Sequence, residues 1–339
     1  MRILLGMSGG LDSTWGARRL LDEGHTVEGA CLVMHDETEL SLARDAAAAL
    51  GIALREIDCR ARFRETVIRN FASEYSAGRT PNPCIVCNRE VKFRELLRAA
   101  DEGGFDAIAT GHYARIGESE GRYFVRRGAD ASRDQSYVLW SLGQEVLSRL
   151  VLPLGGAYKS EVRDEARRAA VASADRPESR EICFIPDHDY AAYIERHFGA
   201  TAPGHFVDAQ GNILGEHRGI LHYTVGQRRG LGIALGERMY VSEIRPDDNT
   251  VVLRPADSSS ISEFRLLSPI FSGALPLGDR ESLHAQVSVR YQAKPIGATL
   301  IREGEDWRVL LDTPLRSVTA GQSAVFYDDD RLLLGGFIA

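Results

Sequence analysis

The sequence predicts an α/β protein, with a parallel-sheet domain first, a small linking module next and a β-barrel at the C-terminal end. Three observations carry this. Short apolar runs alternate with amphipathic segments from Arg2 to Thr110. A glycine-rich turn separates the first run from the first helical segment. Beyond Ser259 helical periodicity fades and strand-like pieces take over.

Taken in order, Arg2–Met7 (RILLGM) reads as a strand, and Thr14–Glu23 as a helix closed by Gly24. Thr26–Met34 is strand, Glu37–Leu50 an Ala-rich helix ending at Gly51, and Ile52–Ile57 strand. Arg62–Tyr75 reads as helix and Ala77–Asn88, with two prolines and a glycine, as loop. Glu90–Glu102 returns to helix and Asp106–Thr110 to strand. Such alternation implies a sheet covered on both faces, with ligands at the carboxyl ends of its strands. Gly199–Gly236 is glycine-rich, and Ala285–Tyr291, Trp307–Leu311 and Ser323–Tyr327 read as strands of an antiparallel barrel. The expected domains are 1–198, 199–258 and 259–339.

The chain has 339 residues, enough for two or three domains. At 44% hydrophobic and 26% charged it has ordinary globular composition. No apolar run approaches the roughly 20 residues needed to span a bilayer. The start, MRILLGMSGG, lacks a secretory pattern, so a cytoplasmic location is expected. Five scattered cysteines in a reducing compartment point to reactive or ligating thiols rather than a disulfide framework. A net charge of −7 is not the footprint of a nucleic-acid binder, but Arg60–Arg98 carries nine Lys/Arg against four Asp/Glu. That stretch is either a local phosphate-binding surface or a pair of solvated helix faces.

Gly6-Met7-Ser8-Gly9-Gly10-Leu11-Asp12-Ser13 lies between the first strand and the first helix. Glycines let backbone amides approach an anion, hydroxyls of Ser8, Ser13 and Thr14 can donate to it, and the helix N-terminus adds a favourable dipole. It is neither a Walker A loop nor a GxGxxG fingerprint. SGGLDS resembles the pyrophosphatase (PP) loop of the adenine-nucleotide α-hydrolase superfamily, which implies cleavage of ATP between its α and β phosphates, with Mg2+, and an adenylated intermediate. Several synthetases share that loop, so it does not choose among them.

Two cysteine segments choose. Thr80-Pro81-Asn82-Pro83-Cys84-Ile85-Val86-Cys87-Asn88 precedes Arg89-Glu90-Val91-Lys92-Phe93, and Ser179-Arg180-Glu181-Ile182-Cys183-Phe184-Ile185 comes much later. With Gly111-His112-Tyr113-Ala114-Arg115, Asp134-Gln135-Ser136-Tyr137, Leu152-Pro153-Leu154-Gly155, the Tyr223–Gly232 run, Arg290-Tyr291 and Gly321-Gln322, the chain resembles the MnmA/TrmU family of tRNA-specific 2-thiouridylases nearly end to end. The resemblance implies ATP-dependent 2-thiolation of the wobble uridine of glutamate, glutamine and lysine tRNAs, and a monomer. Sulfur would come from a donor protein, either a cysteine desulfurase or a relay. It implies Cys87 as nucleophile and Cys183 as the persulfide carrier, the two transiently joined in a disulfide. It likewise implies ATP contacts by Gly6–Ser13, Met34 and Gly111, base contacts by Asn82, Pro83 and Cys84, and tRNA contacts by His112, Arg133, Asp134, Gln135, Arg290, Tyr291 and Gln322. The chemistry agrees: adenylation makes the uracil 2-oxygen expellable, and sulfur then attacks the same carbon. A thiolate at a loop–helix junction is stabilised by the helix dipole, an expectation for Cys87.

Where well-known members carry Asp, this chain has Cys84. Cys84, Cys87 and Cys183 together could hold three corners of a four-iron cluster; the alternatives are a metal-free persulfide route and a zinc site, which lacks a second CxxC. Arg180 stands where many members have Gln. Without the resemblance, Met34 reads as core packing, His112 as a turn residue, and Tyr113 and Tyr137 as ordinary amphipathic positions. Cys31 and Cys59 read as small buried hydrophobes. The expected base pocket lies between the nucleotide domain and the later modules, with Gln227–Arg229 and the barrel embracing the tRNA. Two competitors are a related ATP-dependent amidating synthetase, which has no use for these cysteines, and a non-catalytic ATP-gated tRNA-binding module.

Overall fold

The computed structural model describes residues 1–176, 182–185, 187–233, 236–255, 260–272 and 281–339. Arg180 and Glu181 lie outside the described residues.

The first seven strands are β1 (Arg2–Gly6), β2 (Thr26–Val33), β3 (Leu54–Asp58), β4 (Ala107–Ala109), β5 (Ala114–Ser119), β6 (Arg122–Arg127) and β7 (Leu150–Val151). Five of them form a parallel sheet in the order β3-β2-β1-β4-β7. Ile3, Leu4 and Leu5 of the central strand are 0% exposed, the signature of a strand covered on both faces. The covering helices are α1 (Leu11–Asp22) and α2 (Leu40–Leu50), then two longer helical runs, α3 (60–76) and α4 (83–103). Each long run contains one π turn, Arg64–Ile68 in α3 and Asn88–Lys92 in α4. Cys31 and Cys59 are each 2% exposed, as expected of small hydrophobes.

The stretch expected to be a loop up to Asn88 instead turns helical at Pro83. Asn82 Oδ1 accepts from the Cys84 N–H at 3.1 Å, and Pro83 occupies the first helical position. Proline is a breaker inside a helix but a starter at its first residue, where its missing N–H costs nothing. The cysteine segment is therefore the first turn of α4.

After α5 (Lys159–Arg168) and α6 (Tyr190–Phe198), strands β8 (Gly204–Val207), β9 (Ile213–His217), β10 (Met239–Arg245) and β11 (Thr250–Pro255) form a small sheet, in the order β10-β11-β8-β9. The remaining strands are β12 (Ile261–Phe271), β13 (Ser282–Ser288), β14 (Ile296–Glu303), β15 (Asp306–Leu315), β16 (Ser323–Asp328) and β17 (Arg331–Ile338). They close on themselves through a β12–β17 pairing, giving the antiparallel barrel.

The hairpin β5–β6 leaves the N-terminal half to extend the barrel sheet beside β17. The join is packed as well as hydrogen-bonded. Trp140, 1% exposed, meets Phe337 edge-on, and its Nε1 donates to Ser323 Oγ at 3.1 Å. Tyr137 Oη donates to the Ser323 carbonyl at 2.8 Å. Among the described residues no helix is long and apolar enough to cross a membrane.

Candidate active site

The phosphate loop is built by backbone constraint. Gly9 has φ +78, and a Cβ there would lie 2.3 Å from the Leu42 backbone, so only glycine fits. Ser13 Oγ donates to the Gly10 carbonyl at 3.1 Å, Thr14 Oγ1 donates to the same oxygen at 2.9 Å, and the Ser8 N–H donates to Ser13 Oγ at 3.2 Å. No side chain caps α1 behind Gly10, leaving its first amides for an anion. Gly111 lies against the same helix: a Cβ there would be 2.8 Å from the Asp12 carbonyl carbon.

Asp12 is held by groups from elsewhere. Its Oδ1 accepts from Lys159 Nζ at 2.6 Å and from Tyr113 Oη at 2.8 Å. Lys159, at the start of α5, is 5% exposed, and its ammonium also sits 5.4 Å from the centre of the Tyr113 ring. A buried lysine needs such a partner. The sequence reading passed over Lys159, and nothing local to its helix marks it.

The cysteines occupy the first turn of α4 and a facing segment. Cys84 and Cys183 are exposed, and Cys87 is 8% exposed. The Cys87 thiol is directed at Met34 Sδ, 3.6 Å away, which places Met34 against the sulfur site just beyond the end of β2. All five cysteines are free thiols in this state. Burial pushes the Cys87 pKa up to about 12, with Lys92 pulling it down and the other two thiols pushing it up further. Burial likewise raises Cys183 to about 11, Cys84 adding to the rise, and Cys84 itself is raised by burial against the opposing charge of Lys92. Cys84 and Cys183 are exposed as residues, yet protein surrounds most of each thiol. The expectation of a dipole-stabilised Cys87 thiolate is thus overturned: Cys87 lies inside the helix rather than before it, and desolvation outweighs the dipole.

Among the described residues no group of three His, Cys, Asp or Glu side chains is arranged to hold a metal ion. Cys84, Cys87 and Cys183 as arranged do not fit a cluster ligand set or a zinc site. Cys87 is directed instead at Met34 Sδ.

A cavity of about 860 Å3 joins these parts. Asp12 lines one side, Asn82, Pro83 and Cys84 another, and Ile182, the neighbour of Cys183, a third. Of the expected tRNA residues, His112, Arg133, Gln135, Tyr291 and Gln322 line it too. His112 Nδ1 shares a hydrogen bond with Thr110 Oγ1 at 2.8 Å, and burial holds the ring neutral, its pKa well below the usual histidine value. Gln322 Nε2 donates to the Thr80 carbonyl at 2.7 Å, tying the barrel to the cysteine segment. Asn88, 1% exposed, ties α4 to the next layer through Nδ2 to the Val138 carbonyl at 2.8 Å.

Other expected residues stand apart. Asp134 accepts from the Gly128 and Ser136 N–H groups, from Ser136 Oγ and from Arg127, so its carboxylate holds its own loop rather than facing a ligand. Arg290 is exposed outside the cavity lining, and neither Met34 nor Cys87 lines it. The basic stretch Arg60–Arg98 is largely consumed by surface ion pairs: Arg60 with Asp36 and Asp58, Arg69 with Glu65, Arg79 with Glu74, Arg94 with Glu90, Arg98 with Glu95 and Glu102. Lys92 is an exception, lining the cavity with no carboxylate in ion-pair range among the described residues.

Comparison with known proteins places the whole chain. Residues 1–187 match the family model described as a tRNA methyl transferase HUP domain, 191–254 the corresponding PRC-barrel domain, and 263–338 an aminomethyltransferase β-barrel domain. The tRNA-specific 2-thiouridylase MnmA of Carboxydothermus hydrogenoformans is 42% identical over 99% of this chain and 97% of its own length. That of Acetivibrio thermocellus is 41% identical over 99% of both. The chain belongs to the MnmA family of tRNA-specific 2-thiouridylases. Among solved structures, a 4-thiouridine synthetase in complex with RNA and ATP is 20% identical, covering 57% of this chain and 50% of that one, at a TM-score of 0.39.

Proposed function

We propose that this chain uses ATP to replace the 2-oxygen of a tRNA uridine, at the wobble position, with sulfur carried on Cys183. The single observation that carries the reading is the cavity in which Asp12 of the phosphate loop, the Asn82–Cys84 turn and the segment bearing Cys183 face one another. An activating phosphate and a sulfur nucleophile must meet at one carbon, and few other reactions need both.

The open amides of α1 and the hydroxyls of the loop bind and orient the ATP phosphates, so the α-phosphate is presented to the base. Asp12 is the loop carboxylate that would hold magnesium, which when bound would neutralise charge on the leaving pyrophosphate. Lys159 keeps Asp12 in place and adds positive charge beneath the phosphates. A base flipped out of the anticodon enters between the Asn82–Cys84 wall and Tyr291, whose ring offers a stacking surface. The terminal sulfur of a Cys183 persulfide forms the bond to C2 as AMP leaves. Cys87 then attacks the Cys183 sulfur, forming a Cys87–Cys183 disulfide, and the transferred sulfur departs on the base with the bonding electrons. The persulfide comes from a sulfur donor protein. Its terminal sulfur is more acidic than a thiol, which suits a site that pushes ordinary thiol pKa values up.

The test is anaerobic incubation with unmodified tRNA, Mg-ATP and a persulfide donor, reading 2-thiouridine by nucleoside mass spectrometry and AMP in parallel. Product and AMP in equal amounts are expected. Thiolation that persists in a Cys87→Ser/Cys183→Ser double variant would sink the sulfur-transfer reading. Thiolation requiring added iron and sulfide would replace the persulfide with a cluster-bound sulfide.

A further inference from the structure

Cys84 and Cys87 are three residues apart in the first turn of α4, so they lie on one helix face with Cα atoms about 5 Å apart. That separation falls within the range a disulfide spans, and rotation in a first turn brings the side chains the rest of the way. Cys-x-x-Cys at a helix N-terminus is the common form of a redox dithiol. The two thiols have opposite surroundings here. Cys84 is exposed and lines the 860 Å3 cavity beside Ile182. Cys87 is 8% exposed, does not line the cavity and is directed at Met34. Cys183 is exposed and follows Ile182, which lines the same cavity as Cys84. Asn88 Nδ2, bonded to the Val138 carbonyl, pins the helix just behind the pair.

This asymmetry gives the proposed reaction an exit for its oxidising equivalents, and the following rests on the persulfide reading above. We propose that Cys84 and Cys87 act as a dithiol that clears the Cys87–Cys183 disulfide from inside the site. The Cys84 thiolate attacks Cys87 Sγ, the Cys84–Cys87 bond forms, the Cys87–Cys183 bond breaks, and Cys183 leaves as a thiolate that takes up a proton. Cys183 is then ready for the next persulfide, and the Cys84–Cys87 disulfide stands at the mouth of the cavity. An external dithiol, protein or small molecule, reduces it by exchange and carries away the two electron equivalents of oxidation. Of the two disulfides, the one that includes Cys84 opens onto the cavity, whose lining includes neither Cys87 nor Cys183, so a reductant entering there meets it.

The experiment quenches full-length protein with acid after one turnover with persulfide-loaded Cys183, tRNA and Mg-ATP, and maps disulfides by peptide mass spectrometry without reduction. Wild type is expected to yield the Cys84–Cys87 link with Cys183 free. Cys84→Ser is expected to stop at the Cys87–Cys183 link, and its turnover with a protein dithiol as reductant should fall at least tenfold relative to its own first-turnover burst. Cys84→Ala, with its melting temperature measured alongside, repeats the test without a hydroxyl. A wild type that holds only the Cys87–Cys183 link, or a Cys84→Ser protein that turns over as fast as wild type, overturns the proposal and leaves the persulfide reading intact. Product formed with neither link in either protein overturns both.

Discussion

The phosphate loop and the cysteine face lie on one cavity but are made by opposite means. The loop is backbone: a glycine at 9 that a Cβ would ruin, Gly111 packed close against the helix behind it, hydroxyls folded onto the Gly10 carbonyl, and an uncapped helix end. Its amides are set in place before any ligand arrives. The cysteine face is side chain and burial, with thiols held protonated by desolvation and partnered by Lys92 and Met34. Burial there favours the protonated thiols over the thiolates. The contrast suits a reaction in which ATP must be gripped early and sulfur released only when its target is in place.

The largest effect expected comes from breaking the loop. Gly9→Ala forces a Cβ to 2.3 Å from the Leu42 backbone at a positive φ, and AMP formation should drop by at least about 100-fold, equal to about 2.7 kcal/mol. Steady-state AMP release measures it, and wild-type rates would show that the loop tolerates a shift. Next in size is Lys159→Met, which leaves Asp12 without its ammonium. A loss of about 1–3 kcal/mol in stability is expected, read by chemical denaturation, together with a weaker stabilisation by Mg-ATP.

The cysteine face is probed by pH. With Cys87 near 12 and Cys183 near 11, their alkylation by iodoacetamide should rise about tenfold per pH unit from 7 to 10 without levelling, since the thiolate fraction is still climbing. A plateau near pH 8.5 would show that the thiols are not desolvated. The stability linkage has a definite sign. These thiols hold their protons more tightly folded than unfolded, so stability is intact below about pH 8.5 and declines as pH rises toward their folded values. The smallest effect is expected at the exposed pair Arg228 and Arg229, where charge reversal should weaken tRNA binding a few-fold, more at low salt, and leave ATP binding alone. Equal tRNA affinity at both salts would remove this segment from the interface.

Much of this was legible in the chain. The SGGLDS loop, the parallel strands and the barrel strands are contiguous patterns whose meaning is local: a strand buried on both faces must be apolar throughout, and a tight phosphate turn must be glycine. The segments containing Asn82–Cys84, His112, Gln135, Tyr291 and Gln322 were identified, and they meet on one cavity. What the sequence misplaced was the start of α4, where two prolines read as a loop although one of them begins the helix.

The sequence by itself determined which chemistry the molecule carries, because nucleophiles, glycines and strand patterns are properties of residues in order. The tertiary structure decided how each group behaves. It brought Lys159 to Asp12 across 147 positions and Gln322 to Thr80 across 242, turned Asp134 inward onto its own loop, and set Cys84 at the cavity with Cys87 buried behind it. Desolvation and long-range pairing depend on everything packed around a group, and no local pattern records that.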